Sequence, residues 1–321
     1  MTDSMDVKRA AARIAEYVRL TPVERSLAFG QMSNGEVWFK LEHLQHTGSF
    51  KLRGAMNRIL SLTREELDRG VITASNGNHG IAVCYAGAAV GISPQVYLRR
   101  GVPELRVKLI EALGGEPIFY GENPLDAEVH ARRLAIQTGR TFISPYNDEA
   151  VIAGQGTIGV ELDHQLDAID AVFIAVGGGG LISGVAAYLK AARPDVRIVG
   201  CWPENSPVML ECLKAGRIVD VPERPTLSDS TAGGIEQNSL TFPLCRDLID
   251  EAVLVSEDEI RQAMRLVADH ERWMIEGAAA VAVASFLKTK EAYRGRRVVI
   301  LLCGRNIATE KFLQACLNAA N

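Results

Sequence analysis

The stretch TGSFKLRGA, residues 47–55, sets Lys51 among glycine, hydroxyl residues and a phenylalanine, without the acidic neighbours that usually surround surface lysines. A lysine amine in such company is a candidate for bond formation with a carbonyl. A second stretch, AVFIAVGGGGLISGVAAYLKAA, runs from a strand pattern through four consecutive glycines, Gly177 to Gly180, into a helical pattern. Glycines at a strand-to-helix turn let successive backbone N–H groups converge on one point and add the positive end of the helix, which suits a phosphate. A tight turn alone needs fewer glycines. The chain has no G-x-x-x-x-G-K-[ST] sequence, and Ser183 stands where a dinucleotide fingerprint starting at Gly178 would need its third glycine. Neither a nucleoside triphosphate nor a dinucleotide fits this run. A third stretch, ITASNGNHGIAVCYAGAA, gathers Ser75, Asn76, Gly77, Asn78 and His79 between a strand pattern and a helical one. Hydroxyl and amide groups beside free helix N–H groups make a cradle for a carboxylate such as that of an amino acid. Helix capping accounts for one or two of these residues but not for all. Two shorter stretches, STAGGIE (230–236) and LLCGRNI (301–307), put Gly233, Gly234, Cys303 and Asn306 at strand ends. Open α/β sheets bind their ligands there.

An amine, a phosphate cradle and a carboxylate cradle are complementary. Together they suit pyridoxal phosphate, whose aldehyde needs an amine, whose phosphate needs an anion site and whose substrates are amino acids. On these residues the chain resembles the fold-type II pyridoxal-phosphate enzymes, in their serine/threonine dehydratase and serine racemase branch. The likeness runs in order through KLEHLQHTGSFKLRGA, SNGNHG, AGQGTIGVEL, VGGGGLISG, TAGGIE, EGAAAVAVA and LLCGRNI. It implies that Lys51 forms the Schiff base and that Phe50 packs near the ring, with Asn78 on the ring hydroxyl. It further implies that Gly177, Gly178, Gly179, Gly180 and Leu181 hold the phosphate, that Gly234 and Glu276 lie near the cofactor, and that Cys303 faces the pyridine nitrogen. A thiol, with an ordinary pKa of about 8.5, is a weak neutral donor that cannot keep that nitrogen protonated. The ring is then a weaker electron sink, which suits β-elimination better than transamination.

The activity implied is loss of water from a β-hydroxy-α-amino acid of the serine, threonine or 3-hydroxyaspartate type, ending in a 2-oxo acid and ammonia. Lys51 would remove the Cα proton. On the same scaffold stand β-replacement, as in cysteine synthase, and racemisation; outside catalysis stands a ligand-binding protein that has lost its chemistry. In racemase-like relatives a serine two residues before the Asn of SNGNHG works on the opposite face of the substrate, and here that position is Asn76. An amide cannot exchange a proton at neutral pH, so weak or absent racemisation is expected. Some relatives bind a divalent metal in the segment corresponding to CWPENSPVMLEC, where Glu204 here is followed by apolar residues; no metal is expected at that site. The wording of TLSDSTAGGIE and CGRNI is similar to the hydroxyectoine-utilisation and 3-hydroxyaspartate dehydratase subgroup. The chain ends soon after LLCGRNI, so the C-terminal regulatory domain of feedback-controlled threonine deaminases is not expected.

These motifs need a frame. Short apolar runs at 36–42, 70–75, 93–98, 116–120, 141–145, 171–176, 197–202 and 297–303 alternate with helical patterns such as 126–138, 181–193, 257–270 and 277–288. Strand runs separated by helices read as βαβ units, so the fold class is α/β with mostly parallel sheets. The resemblance sharpens this to two open twisted sheets flanked by helices. It implies a large cofactor-binding domain, residues 1–69 and 148–321, and a small mobile substrate-binding domain, residues 70–147. With 321 residues, 47% of them hydrophobic, and a net charge of −4, the chain has the material for a large core and offers no basic surface for nucleic acid or anionic lipid. No apolar run is long enough to span a bilayer and none resembles a secretory signal, so the cytoplasm is the expected address. Six scattered cysteines without a C-x-x-C pair read as reduced, buried small hydrophobes. The expected partners are a small amino-acid substrate and, from the resemblance, a second copy of the chain in a homodimer.

Overall fold

The structure is a computed structural model that describes residues 4–122 and 124–319. It is α/β, with two sheets flanked by helices. Its strands are β1 (Val23–Ser26), β2 (Glu36–Lys40), β3 (Val71–Ala74), β4 (Gln95–Leu98), β5 (Glu116–Phe119), β6 (Thr141–Phe142), β7 (Ala171–Ala175), β8 (Arg197–Pro203), β9 (Glu251–Val255) and β10 (Arg297–Leu301). One sheet has the order β1-β2-β10-β7-β8-β9 and the other β5-β4-β3-β6. Every pairing is parallel except β1 with β2.

The burial pattern follows from this topology. β7 (AVFIA) and most of β10 are inner strands covered on both faces, and they read as uninterrupted apolar runs. β1 (VERS) is a polar edge strand with no apolar run to announce it, and β9 closes the opposite edge. The larger core joins the six-stranded sheet to the helices Gly180–Ala192 and Gly277–Thr289. A second cluster packs Leu52, Ala55, Met56 and Ile59 of the helix Lys51–Leu60 against Ala82, Val83 and Ala86 of the helix Asn78–Ala89. The helix that begins at Lys51 is thus bound to the helix that begins at Asn78. All six cysteines are buried and unpaired.

Behind Lys51 lies a buried ionic group. The Arg53 guanidinium donates to both Glu42 oxygens at 2.8 Å and to both Glu161 oxygens at 2.6 and 2.9 Å. Lys40, fully buried, donates to Glu161 and to the Thr21 carbonyl. Two cations meet two anions, so the group is neutral as a whole, and side-chain hydroxyl and backbone groups satisfy its edges. Charges this deep persist only when paired and hydrogen-bonded. The geometry ties the chain two residues beyond Lys51 to the end of β2 and to the helix Glu149–Gln165.

Candidate active site

Lys51 sits where three segments converge. The backbone of Ser49 bridges Gly304, Phe50 N–H donates to the Cys303 carbonyl at 3.1 Å, and Arg305 N–H donates to the Gly48 carbonyl at 2.9 Å. Gly48 has φ +77°, and a Cβ there would stand 2.6 Å from Asn306 Oδ1, so the close approach of the two segments requires glycine. The Lys51 Nζ donates to the Pro145 carbonyl at 2.8 Å and lies 5.2 Å from the centre of the Phe50 ring. Part of its stem reaches the surface, but the amine is enclosed, and burial lowers its pKa from 10.5 to about 8 against the opposing pull of Cys303 and Glu276. The Cys303 thiol is itself pushed well above its ordinary value, first by burial and then by the Glu276 charge, so at neutral pH it is an uncharged group.

Glu276 is 4% exposed and collects bonds from three parts of the chain. Asn78 Nδ2 reaches both carboxylate oxygens at 3.0 Å, Ser230 Oγ donates at 2.9 Å and the Asn306 N–H at 3.1 Å. Burial raises the Glu276 pKa, and the bonds from Asn78 and Ser230 oppose the rise. Asn306 also donates through Nδ2 to Asn78 Oδ1 at 2.6 Å and to the Thr47 carbonyl at 2.9 Å. Asn78 therefore meets Glu276 and Asn306 here.

The turn from β3 into the helix Asn78–Ala89 holds Ser75, Asn76 and Gly77, all half-buried. Gly77 N–H donates to Ser75 Oγ at 3.2 Å. Asn76 Oδ1 accepts the Arg99 N–H at 3.1 Å, so its amide is engaged with the end of β4. His79 is buried; its Nε2 lies 3.1 Å from the Ile143 carbonyl and must carry the hydrogen, and Nδ1 has no partner among the described residues. Burial, then the Lys51 charge, lowers its pKa from 6.5 to about 3. His79 is a neutral imidazole across the working range.

The glycine run leaves β7 and enters the helix Gly180–Ala192. Gly179 has φ +85°, and the N–H groups of Gly177, Gly178 and Gly179 find no acceptor among the described residues. A Cβ on Gly177 would lie 2.8 Å from Thr231 backbone, and one on Gly178 would lie 2.5 Å from the Tyr146 ring. With the free N–H groups of the helix start, including Leu181, this is a concave cluster of donors with no room for side chains. Tyr146 is fixed by accepting the Glu236 N–H at 2.9 Å, and Glu236 in turn takes bonds from Arg132 at 2.6 Å and Asn147 at 2.8 Å.

The profile of the family described as "Pyridoxal-phosphate dependent enzyme" matches residues 14–304. The chain belongs to this family. Among curated relatives, a putative threonine dehydratase of Sinorhizobium fredii is 42% identical over 302 residues, covering 94% of this chain and 91% of that one. The L-threonine ammonia-lyase of Thermotoga maritima is 39% identical, over 94% of this chain and 75% of that one. Among solved structures, maize serine racemase superposes with a TM-score of 0.92 at 32% identity, over 98% of this chain and 97% of that one. This pyridoxal-phosphate-dependent enzyme thus has the fold-type II architecture of its neighbours.

The residues fit the cofactor. The enclosed amine of Lys51 and the Glu276 carboxylate are held beside the uncharged thiol at the carboxyl end of β10, and the N–H groups of Gly177 to Gly179, unpartnered among the described residues, follow the carboxyl end of β7, where an open α/β sheet takes its ligand. Of the residues read from the sequence, Lys51, Phe50, Asn78, Glu276 and Cys303 are brought together. Gly234 is exposed, with nothing within 4 Å of the position a Cβ would take, and its segment reaches the cluster instead through Ser230 and Thr231. Tyr146 and Ser230 were not singled out by sequence; the signal for Tyr146 is its place in SPYND, just past the carboxyl end of β6. Among the described residues no group of three or more His, Cys, Asp or Glu could hold a metal, and Glu204 stands 3.8 Å from Lys288. No helix among them is long and apolar enough to cross a membrane.

Proposed function

We propose that this enzyme is a dehydratase, an ammonia-lyase, that eliminates water from a β-hydroxy-α-amino acid and releases a 2-oxo acid and ammonia. The relatives named threonine dehydratase and L-threonine ammonia-lyase support the reaction class. Pyridoxal phosphate, when bound, supplies the sink for the electron pair left at Cα. Lys51 would hold the cofactor and, once displaced, would take the Cα proton; burial of its amine, which lowers its pKa to about 8 in the protein alone, favours that role. The donors from Gly177 to Leu181 hold the phosphate, and the turn Ser75–His79 holds the substrate carboxylate. Cys303, uncharged, leaves the pyridine nitrogen without a strong acid.

The observation that carries a lyase over a racemase is the tie of Asn76 Oδ1 to the Arg99 N–H. The side chain at the position where racemase-like relatives carry an acid/base serine is an amide, and it is engaged with backbone. In this reading Lys51 is, among the described residues, the group assigned to proton transfer at Cα. Serine, threonine and 3-hydroxyaspartate, with threo and erythro forms separated, should be assayed for keto acid, ammonia and the D-enantiomer. The reading expects keto acid and ammonia from at least one of them, with D-product at a small fraction of that rate. Rapid L-to-D conversion, incorporation of added sulfide in place of keto acid, or turnover by Lys51→Ala would overturn it.

A further inference from the structure

We propose that Arg106 is a positioning residue that strengthens the substrate-carboxylate cradle through a hydrogen-bonded relay ending on the Ser75 hydroxyl. The inference rests on the reading of the Ser75–His79 turn as the site of the substrate carboxylate. Arg106 lies in the first turn of the helix Glu104–Ala112, which follows β4 at the same sheet end as the turn after β3. Its Nη1 donates to the Asn76 carbonyl at 2.6 Å, and among the described residues it pairs with no carboxylate. Arg106 is half-buried, and the Asn76 carbonyl is the acceptor its guanidinium reaches among the described residues.

The peptide that starts with the Asn76 carbonyl ends in the Gly77 N–H, and that N–H donates to Ser75 Oγ at 3.2 Å. Ser75 Oγ has no acceptor of its own among the described residues, so its hydrogen is left for a ligand. The chain of donors runs from guanidinium to carbonyl, from amide N–H to hydroxyl oxygen, and from hydroxyl hydrogen to carboxylate. Each bond polarises the next in the same sense, which strengthens the last donor and aligns it. The contact with Asn76 is charge-assisted, the strong kind. Gly77 leaves the relay open: a Cβ there would meet only Arg106 Nη1, at 3.9 Å. Arg106 touches neither substrate nor cofactor in this scheme; it acts through Ser75.

The test is a double-mutant cycle on the holoenzyme, with Ser75→Ala, Arg106→Gln and the pair. The readout is the dissociation constant of L-alanine, which has the carboxylate and no leaving group, from the change it makes in the cofactor's visible absorbance. Arg106→Gln is expected to weaken alanine about fivefold to tenfold, about 1–1.4 kcal/mol. In the Ser75→Ala background the same change should cost less than about twofold, because the relay's last member is gone. Arg106→Lys, which restores a charged donor, should return the affinity to within about twofold of the parent. If Ser75→Ala binds alanine as the parent does, the carboxylate reading of the turn fails. If Ser75→Ala weakens alanine but Arg106→Gln does not, or does so equally in both backgrounds, the relay is overturned and the reading of the turn stands. Should Arg106→Gln not fold, Arg106→Met keeps the stem, removes the charge and enters the same cycle.

Discussion

Lys51 offers the most direct test of how the fold prepares the chemistry. Its pKa near 8, against 10.5 for an ordinary lysine, follows from enclosure of the amine, with Cys303 and Glu276 opposing. At pH 7 about 9% of such an amine is neutral, against about 0.03% at the ordinary value, a factor of about 300 in the reactive form. Cofactor-free enzyme mixed with limiting pyridoxal phosphate should capture it at a rate that rises about tenfold per pH unit up to pH 7 and then flattens above a midpoint near 8. Stopped-flow absorbance from pH 6 to 10 at fixed ionic strength follows the reaction, and N-acetyl-lysinamide in the same buffers corrects for ionisation of the aldehyde itself. The small amine should keep accelerating to pH 10 while the enzyme does not. Glu276→Gln removes a charge that favours the ammonium, so it should move the midpoint lower. A rate that climbs without a plateau to pH 10, or a midpoint that rises in Glu276→Gln, would refute the reasoning.

Gly177→Ala sets a methyl 2.8 Å from Thr231 backbone, which cannot yield as a side chain could; we expect an overpacking cost of about 1–3 kcal/mol and weaker cofactor binding by titration. Arg53→Ala leaves Glu42 buried without its partner and should lower unfolding free energy by about 3–5 kcal/mol in denaturant melts, with loss of Lys51 reactivity following from the loosened helix. Buried His43 and His79 have pKa values lowered by burial to about 4 and about 3. Below the ordinary value near 6.5 the unfolded chain binds protons that the folded chain refuses, so stability is lost as pH falls from about 6.5 toward 4 and 3, and His79→Gln should shrink that loss in thermal melts. No activity midpoint from His79 is expected between pH 5 and 7.

The inner strands were legible because a strand covered on both faces has to be apolar where it is buried, as AVFIA is throughout and as VVIL of β10 is after Arg297. The two strands that the run of apolar residues did not reveal, β1 and β9, are the two edges of the six-stranded sheet. An edge needs less burial and so leaves a weaker trace. Candidate site residues borne on glycine-rich turns could be proposed from sequence because their backbone demands show in composition. What stayed hidden were contacts between distant segments: Arg53 meeting Glu161, 108 residues away, and the Asn76 Oδ1 accepting the Arg99 N–H. Sequence spacing carries no record of such meetings.

The Glu276 carboxylate, reached from Asn78, Ser230 and Asn306, has a consequence for how this site can change. Replacing any one of those donors strands part of a buried charge, while Asn306 and Asn78 also lean on each other. Substitutions there should not be interchangeable one at a time. A redesign that seeks a new substrate would have to exchange positions 78, 230, 276 and 306 as a block, and libraries that vary them singly should return mostly inactive protein.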